Sequence, residues 1–317
     1  MNRNRFSVQI TRFWKQITQT ELKMKRLLIG VMVFVFVGSL AVMAGCSKAK
    51  VPQAKEEPAL EKGGAIPKEK DITAEPIKKE ASGKEEVIDL GNGVKLEMIL
   101  IPAGKFKMGS PLSEDGRNNV NERQHEVTLT KSFYIGKYEV TQEQGIAVMG
   151  GNPSLKTKGA KLPVTDVSWN ACQDFIKKLN TKTNGGFRLP TEAEWEYACR
   201  AGTTTAYSFG DRITPKDANY KLSQIVPVGS YKPNEFGLYD MHGNVSEWCQ
   251  DLIEDYPVRP VTDPKGPARR EGGLGGYRIF RGGHFQSSPD SVRSSERRDW
   301  VPNDRLNYIG FRLARTP

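Results

Sequence analysis

From Gly202 to the C-terminus the chain has almost no uninterrupted apolar run long enough for a conventional helix or a full-length strand. Gly, Pro, Asn and Asp break it into very short apolar pieces. That punctuation leaves few regular elements. It predicts an irregular α+β fold, low in regular secondary structure, whose loops must be held in place by specific contacts or bound ions.

Upstream of Gly202 the local signals are clearer. VIDLGNGVKLEMILIPAGKFKMGS (Val87 to Ser110) reads as a hairpin cut by Gly-Asn-Gly and Pro-Ala-Gly. VTLTKSFYIGKYEVT (Val127 to Thr141) alternates like a strand and ends on a helix N-cap candidate, Thr141. Ser168 can cap a second helix, WNACQDFIKKLN, which stops before Asn184-Gly185-Gly186. Thr191 and Glu194 form a capping box behind Pro190 and open a third helix, which Gly202 closes. Glu192 and Glu194 are therefore assigned to the first turn of that helix and not to catalysis. Arg188 and Arg312 are expected to make internal ion pairs or to fix the floor of the site.

The N-terminal third has a different composition. Met24 to Cys46, MKRLLIGVMVFVFVGSLAVMAGC, has a basic start, an apolar run from Leu27 to Val42, and small residues before Cys46. This is a secretory signal whose likeliest translation start is Met24. It resembles a bacterial lipoprotein signal, with Cys46 as the lipidated residue. An uncleaved membrane anchor is the alternative, and the small residues abutting Cys46 favour the lipoprotein. Residues 1–46 are read as the signal and lipoprotein segment. Residues 47–86, rich in Lys, Glu, Pro and Ala and free of aromatics, are read as a disordered tether. Residues 87–317 are left as the folded domain. The formal charge of +10 is concentrated early, because residues 1–85 carry 16 Lys+Arg against 9 Asp+Glu. The remaining 31 against 28 argue against a nucleic-acid partner. The expected location is the cell envelope, on the periplasmic side of an outer membrane or on the cell surface. The lipid anchor makes the membrane one partner.

Four stretches read together narrow the domain further. They are FRLPTEAEWEYACRAG (Phe187 to Gly202), NEFGLYDMHGNVSEW (Asn234 to Trp248), RGGHF (Arg281 to Phe285) and GFRLAR (Gly310 to Arg315). This ordered series resembles the formylglycine-generating enzyme, or sulfatase-modifying factor, family. The resemblance covers the whole folded part and implies a compact, C-type-lectin-like α+β domain. It also implies one calcium, held by Asp240, the carbonyls of Gly243 and Val245, and Glu247. Hard oxygen donors of this mixed kind suit that ion. A second family calcium site, beginning near Asn219 and Tyr220, lacks its downstream carboxylate.

The enzymes of the family hold copper(I) on two cysteines in the loop after Gly-Gly. Here the matching positions fall at Ser287 and at Val292, or Pro289 if the loop is shorter. A hydroxyl neither holds copper(I) nor exchanges with a disulfide, so copper is not expected. His125, His242 and His284 have no metal-ligand spacing. Cys172, Cys199 and Cys249 include at least one unpaired thiol, and Cys172–Cys249 and Cys199–Cys249 pairing both stay open. The loop is then expected to wall a groove of Trp248, Arg281, His284, Phe285, Ser287 and Arg293. Arg297 and Arg298 would extend its cationic rim and Trp300 its apolar wall. Such a groove suits an extracytoplasmic protein or a small anionic or glycan ligand. The resulting expectation is a binding or accessory module. A formylglycine-generating oxidoreductase acting on a protein cysteine is the alternative.

Overall fold

The computed structural model describes residues 84–267 and 276–317. The signal segment, Cys46 and nearly all of the tether lie outside the described residues. No helix among the described residues is long and apolar enough to cross a membrane.

The first hairpin forms where Gly-Asn-Gly predicts it. Strand β1 (Glu85–Gly91) pairs antiparallel with β2 (Val94–Ile101), and Gly91, Asn92 and Gly93 all take positive φ at the turn. The first described strand thus begins at Glu85, two residues before Val87. β3 (Gly104–Met108) follows Pro102-Ala103 and pairs with β4 (His125–Leu129). The alternating stretch from Val127 to Thr141 is not one strand. Thr130, Lys131 and Ser132 break it, and β5 (Phe133–Gly136) joins a different sheet from β4.

The three helices start where the caps place them. Helix α1 (Gln142–Met149) has a full capping box between Thr141 and Gln144. Helix α2 (Trp169–Lys182) is capped by the Ser168 side chain on Ala171 N. Helix α3 (Glu192–Arg200) carries the Thr191/Glu194 box and ends on Ala201 at φ 46°. Arg188 grips Glu194 with both terminal nitrogens at 2.6 Å, so Glu194 serves the cap and an ion pair.

After Gly202 the elements are short, as the punctuation demands. They are β7 (Ser246–Leu252), β8 (Val261–Thr262), β9 (Arg278–Arg281), β10 (Arg297–Trp300), β11 (Ile309–Gly310) and β12 (Ala314–Arg315), while β6 (Phe187–Arg188) lies earlier, just before α3. Three sheets result, in the orders β1-β2-β5-β12-β6, β10-β9-β7-β11 and β3-β4-β8. Trp195 and Trp248 are both fully buried, one in each of the two main apolar clusters that join helices to sheets. Trp248 donates from Nε1 to Val167 O at 3.0 Å, which satisfies its one polar atom.

Candidate functional site

The loop after β9 begins with Gly282 (φ 88°) and Gly283 (φ 66°). A Cβ on Gly283 would stand 2.3 Å from Ser291 O, so the chain can double back here only as glycine. The returning loop is paired on both sides. Phe285 N donates to Asn244 O at 3.0 Å, Leu222 N to Phe285 O at 2.6 Å, and Lys221 N to Ser287 O at 3.1 Å. The Ser287 hydroxyl accepts from His284 N at 2.9 Å, while Ser287 N donates to His284 O at 2.8 Å. Pro289 opens a 3-10 turn that ends at Val292, which is buried among Tyr207, Ala218 and Tyr220. Each candidate position in this loop therefore has a closed local role. Ser287 clips a turn, the Pro289 carbonyl accepts from Tyr207 Oη at 3.0 Å, and Val292 packs. His284 stacks on Tyr308 at 4.3 Å between ring centroids. Burial, helped by nearby Arg298, pushes its imidazole down to about 4, so it is neutral at physiological pH.

The expected groove does not form from the residues assigned to it. Trp248 and Phe285 are core residues. Arg281, Arg293 and Arg297 are almost completely buried and serve as internal staples. Arg281 pairs with Glu196 and with Glu192 (3.3 Å) and donates to the carbonyls of Ser294 and Ser295, each at 2.9 Å. Arg293 binds Glu114 at 2.6 Å and both oxygens of Glu122 at 2.8 Å. Arg297 forks onto Glu192 at 2.6 and 2.7 Å beneath the Tyr256 ring. Guanidinium groups buried in this way persist because each charge finds a carboxylate, even though Arg281 Nε itself makes no hydrogen bond. Of the expected rim, Arg298 and Trp300 are exposed.

The thiols lie elsewhere. Cys172, Cys199 and Cys249 are all buried and unpaired, so neither disulfide left open by the sequence exists. Cys199 Sγ lies 3.7 Å from His242 Nε2. Ser208 N donates to that same nitrogen at 3.1 Å, so Nε2 is the acceptor and Nδ1 carries the proton, which it gives to Val292 O at 2.8 Å. Burial lifts the Cys199 thiol to about 12 and lowers His242 to about 4. The contact is a neutral thiol against a neutral imidazole, which is not a thiolate nucleophile.

The four expected calcium ligands meet a denser acidic centre than the sequence showed. Asp240 and Glu247 are joined there by Glu139, which is buried and accepts from Val245 N (3.1 Å) and Asn244 Nδ2 (2.7 Å). Burial and the charges of Asp240 and Glu247 hold the Glu139 pKa well above the carboxylate range. Burial also lifts Asp240 to about 6. The cation buried against this centre is Arg312, which forks onto Glu247 at 2.6 Å through both Nε and Nη2. Trp195 Nε1 adds a third bond to Glu247 at 2.7 Å. One oxygen of Asp240 accepts from Gly229 N at 2.7 Å. Glu139 was missed because no local pattern marks it; it sits two residues before a cap. Among the described residues no three His, Cys, Asp or Glu side chains are grouped to hold a metal.

With the fold and loop described, comparison with known proteins is decisive. A model of the sulfatase-modifying factor enzyme 1-like domain matches residues 92–317. The chain belongs to this family. It is 32% identical over 249 residues to the serine/threonine-protein kinase pkn1 of Chlamydia caviae, which takes in 69% of this chain but 38% of the kinase. It is 30% identical to the chaperone protein LppX of Paenibacillus barcinonensis, across 69% of this chain and 89% of that protein. It is 35% identical to the formylglycine-generating enzyme of Streptomyces coelicolor, over 48% of this chain and 52% of the enzyme. Among solved structures, Treponema denticola variable protein 1 superposes with a TM-score of 0.66 at 30% identity, covering 74% of this chain and 100% of that one. The sulfatase-modifying-factor-like domain is thus an irregular α+β fold shared by proteins with different names and activities.

Proposed function

We propose that this chain is a lipid-anchored, extracytoplasmic member of the family that acts as a binding or accessory module and does not generate formylglycine. The loop from Gly282 to Val292 carries the proposal. It places Ser287 in a closed turn and Val292 in the core. The three thiols of the domain are buried and held protonated. The match to a protein named a chaperone, over 89% of its length, supports an accessory role. The secretory signal ending at Cys46 supports the anchor.

The test is direct. The purified chain, loaded with copper(I) and supplied with oxygen, is incubated with a peptide containing Cys-X-Pro-X-Arg. Mass spectrometry is expected to show the peptide cysteine unchanged. Conversion to the aldehyde would replace this reading with the oxidoreductase one.

Calcium belongs to the same proposal. Asp240, the carbonyls of Gly243 and Val245, and Glu247 would hold it. With Glu139 protonated, Asp240 and Glu247 against one guanidinium still leave a net negative charge that a divalent ion would offset, so the set fits in sign. Glu247 would have to share its oxygens with Arg312. At calcium a hundredfold above Kd the stability is expected to rise by about 3 kcal/mol. A thermal melt in calcium that superimposes on one in chelator removes the ion and leaves Arg312 as the sole counter-charge.

A further inference from the structure

The loop from Gly150 to Lys161 takes no part in the site above, yet it is held firmly. Buried Gln142, at the start of α1, grips it three times. Its Nε2 donates to Thr157 O at 2.8 Å, and its Oε1 accepts from Asn152 Nδ2 at 2.7 Å and Gly159 N at 3.2 Å. Ser154 is fully buried and accepts from Thr165 N at 3.0 Å. Leu155 N donates to Asp166 Oδ2 at 3.0 Å. The backbone is thus pinned on both sides of Leu155, while the Leu155 side chain is 76% exposed. A fixed loop that presents a large aliphatic side chain to water gives up the stabilisation that burial would bring.

The surroundings indicate what would cover it. Lys156 and Lys158 are exposed, and among the described residues neither pairs with a carboxylate. Lys161 is exposed too and meets only Glu143, at 2.6 Å. Leu112 is as exposed as Leu155, but Glu114 and Asp115 follow it, which an anionic surface would repel. Leu155 combines an apolar tip with unneutralised lysines.

We propose that this loop is a membrane-contact loop, in which Leu155 enters the interfacial layer of an anionic bilayer and the unpaired Lys156 and Lys158 meet its phosphates. Charge complementarity selects the anionic surface over a zwitterionic one. The proposal rests on the lipid-anchor reading of Cys46, which keeps a bilayer within reach. An acidic protein would satisfy the lysines but would take the leucine only if it had an apolar pocket beside its carboxylates. A bilayer interface takes both.

The experiment uses the full chain carrying Ala160→Cys labelled with a polarity-sensitive dye. Ala160 is exposed, and Cys172, Cys199 and Cys249 are buried. The chain is reconstituted through its anchor into vesicles of phosphatidylcholine alone, or of phosphatidylcholine mixed with phosphatidylglycerol. A blue shift is expected only in the mixed vesicles. Lys156→Gln and Lys158→Gln should each weaken docking roughly fivefold, and Leu155→Asp should abolish the shift. Equal spectra in both vesicles, or a shift that survives Leu155→Asp, overturn the proposal. Failure of the anchor reading looks different: the chain would not float with the vesicles and Cys46 would take up dye. In that case vesicles added in excess still read the loop.

Discussion

An Arg312→Met chain is expected to lose about 3–5 kcal/mol of stability, the range found when one member of a buried ion pair is removed. The side chain is fully buried and spends every arm. Beyond its fork on Glu247, Nη1 donates to Gly136 O at 3.0 Å and Nη2 to Tyr239 O at 2.9 Å. It is also the cation nearest Glu139 and Asp240, so its removal leaves three carboxyl groups facing one another. The measurement is the urea midpoint of Arg312→Met, Glu247→Gln and the double variant. The double variant should lose less than the sum of the two single losses, because the charge left behind is removed with its partner. Strict additivity would show that the fork is not the origin of the effect. Arg312→Lys should fall between, since an ammonium keeps the charge but not the two-pronged geometry.

A second large effect is expected from pH. Asp251 is buried, and its Oδ2 accepts from Glu192 N at 2.8 Å at the start of α3. Burial, followed by the charge of Glu192, lifts its pKa from the ordinary 3.8 to about 7. Between those values the folded chain holds a proton that the unfolded chain releases. Its contribution is therefore fully present below pH 4 and is lost as pH rises through 7, by about 4 kcal/mol on an order-of-magnitude basis. Asp251→Asn keeps the acceptor without the charge, so its urea midpoint should fall much less between pH 4 and pH 8. Parallel profiles for the two chains would refute this assignment. Glu122 acts in the opposite sense. Burial raises its pKa, but the hydrogen bonds from Arg293 and Ser110 prevail and bring it down to about 2. Its contribution is lost only as pH falls through that value, with the decline beginning near its ordinary 4.5.

The parts of this fold that were legible in the sequence are those governed by neighbours in the chain. Thr141, Ser168 and the Thr191/Glu194 box cap helices at the expected residues, because a cap is decided within four positions. Gly91-Asn92-Gly93 turns for the same reason. The arginines divide instructively. Arg188 was read correctly, and its partner lies six residues away. Arg312 was read correctly as an internal pair. Arg281, Arg293 and Arg297 were expected to be a rim, yet the carboxylates that hold them most closely lie 85 to 179 residues away. In a local window those arginines sit beside Asp290, Glu296 and Asp299 and resemble solvated charge. Only the tertiary fold brings Glu114, Glu122, Glu192 and Glu196 against them. The break at Thr130 to Ser132 was hidden by an alternation that continues across two strands of different sheets.

The position of β12 bears on how the molecule acquires its structure. Ala314 and Arg315 lie between β5 and β6, so the described strand latest in chain order fills an interior position of the five-stranded sheet, next to its edge. Until it arrives, β5 and β6 each present an open edge. Contacts at this sequence separation carry a high entropic cost and form slowly. The five-stranded sheet therefore closes only when a strand more than 120 residues beyond β6 has come back to it.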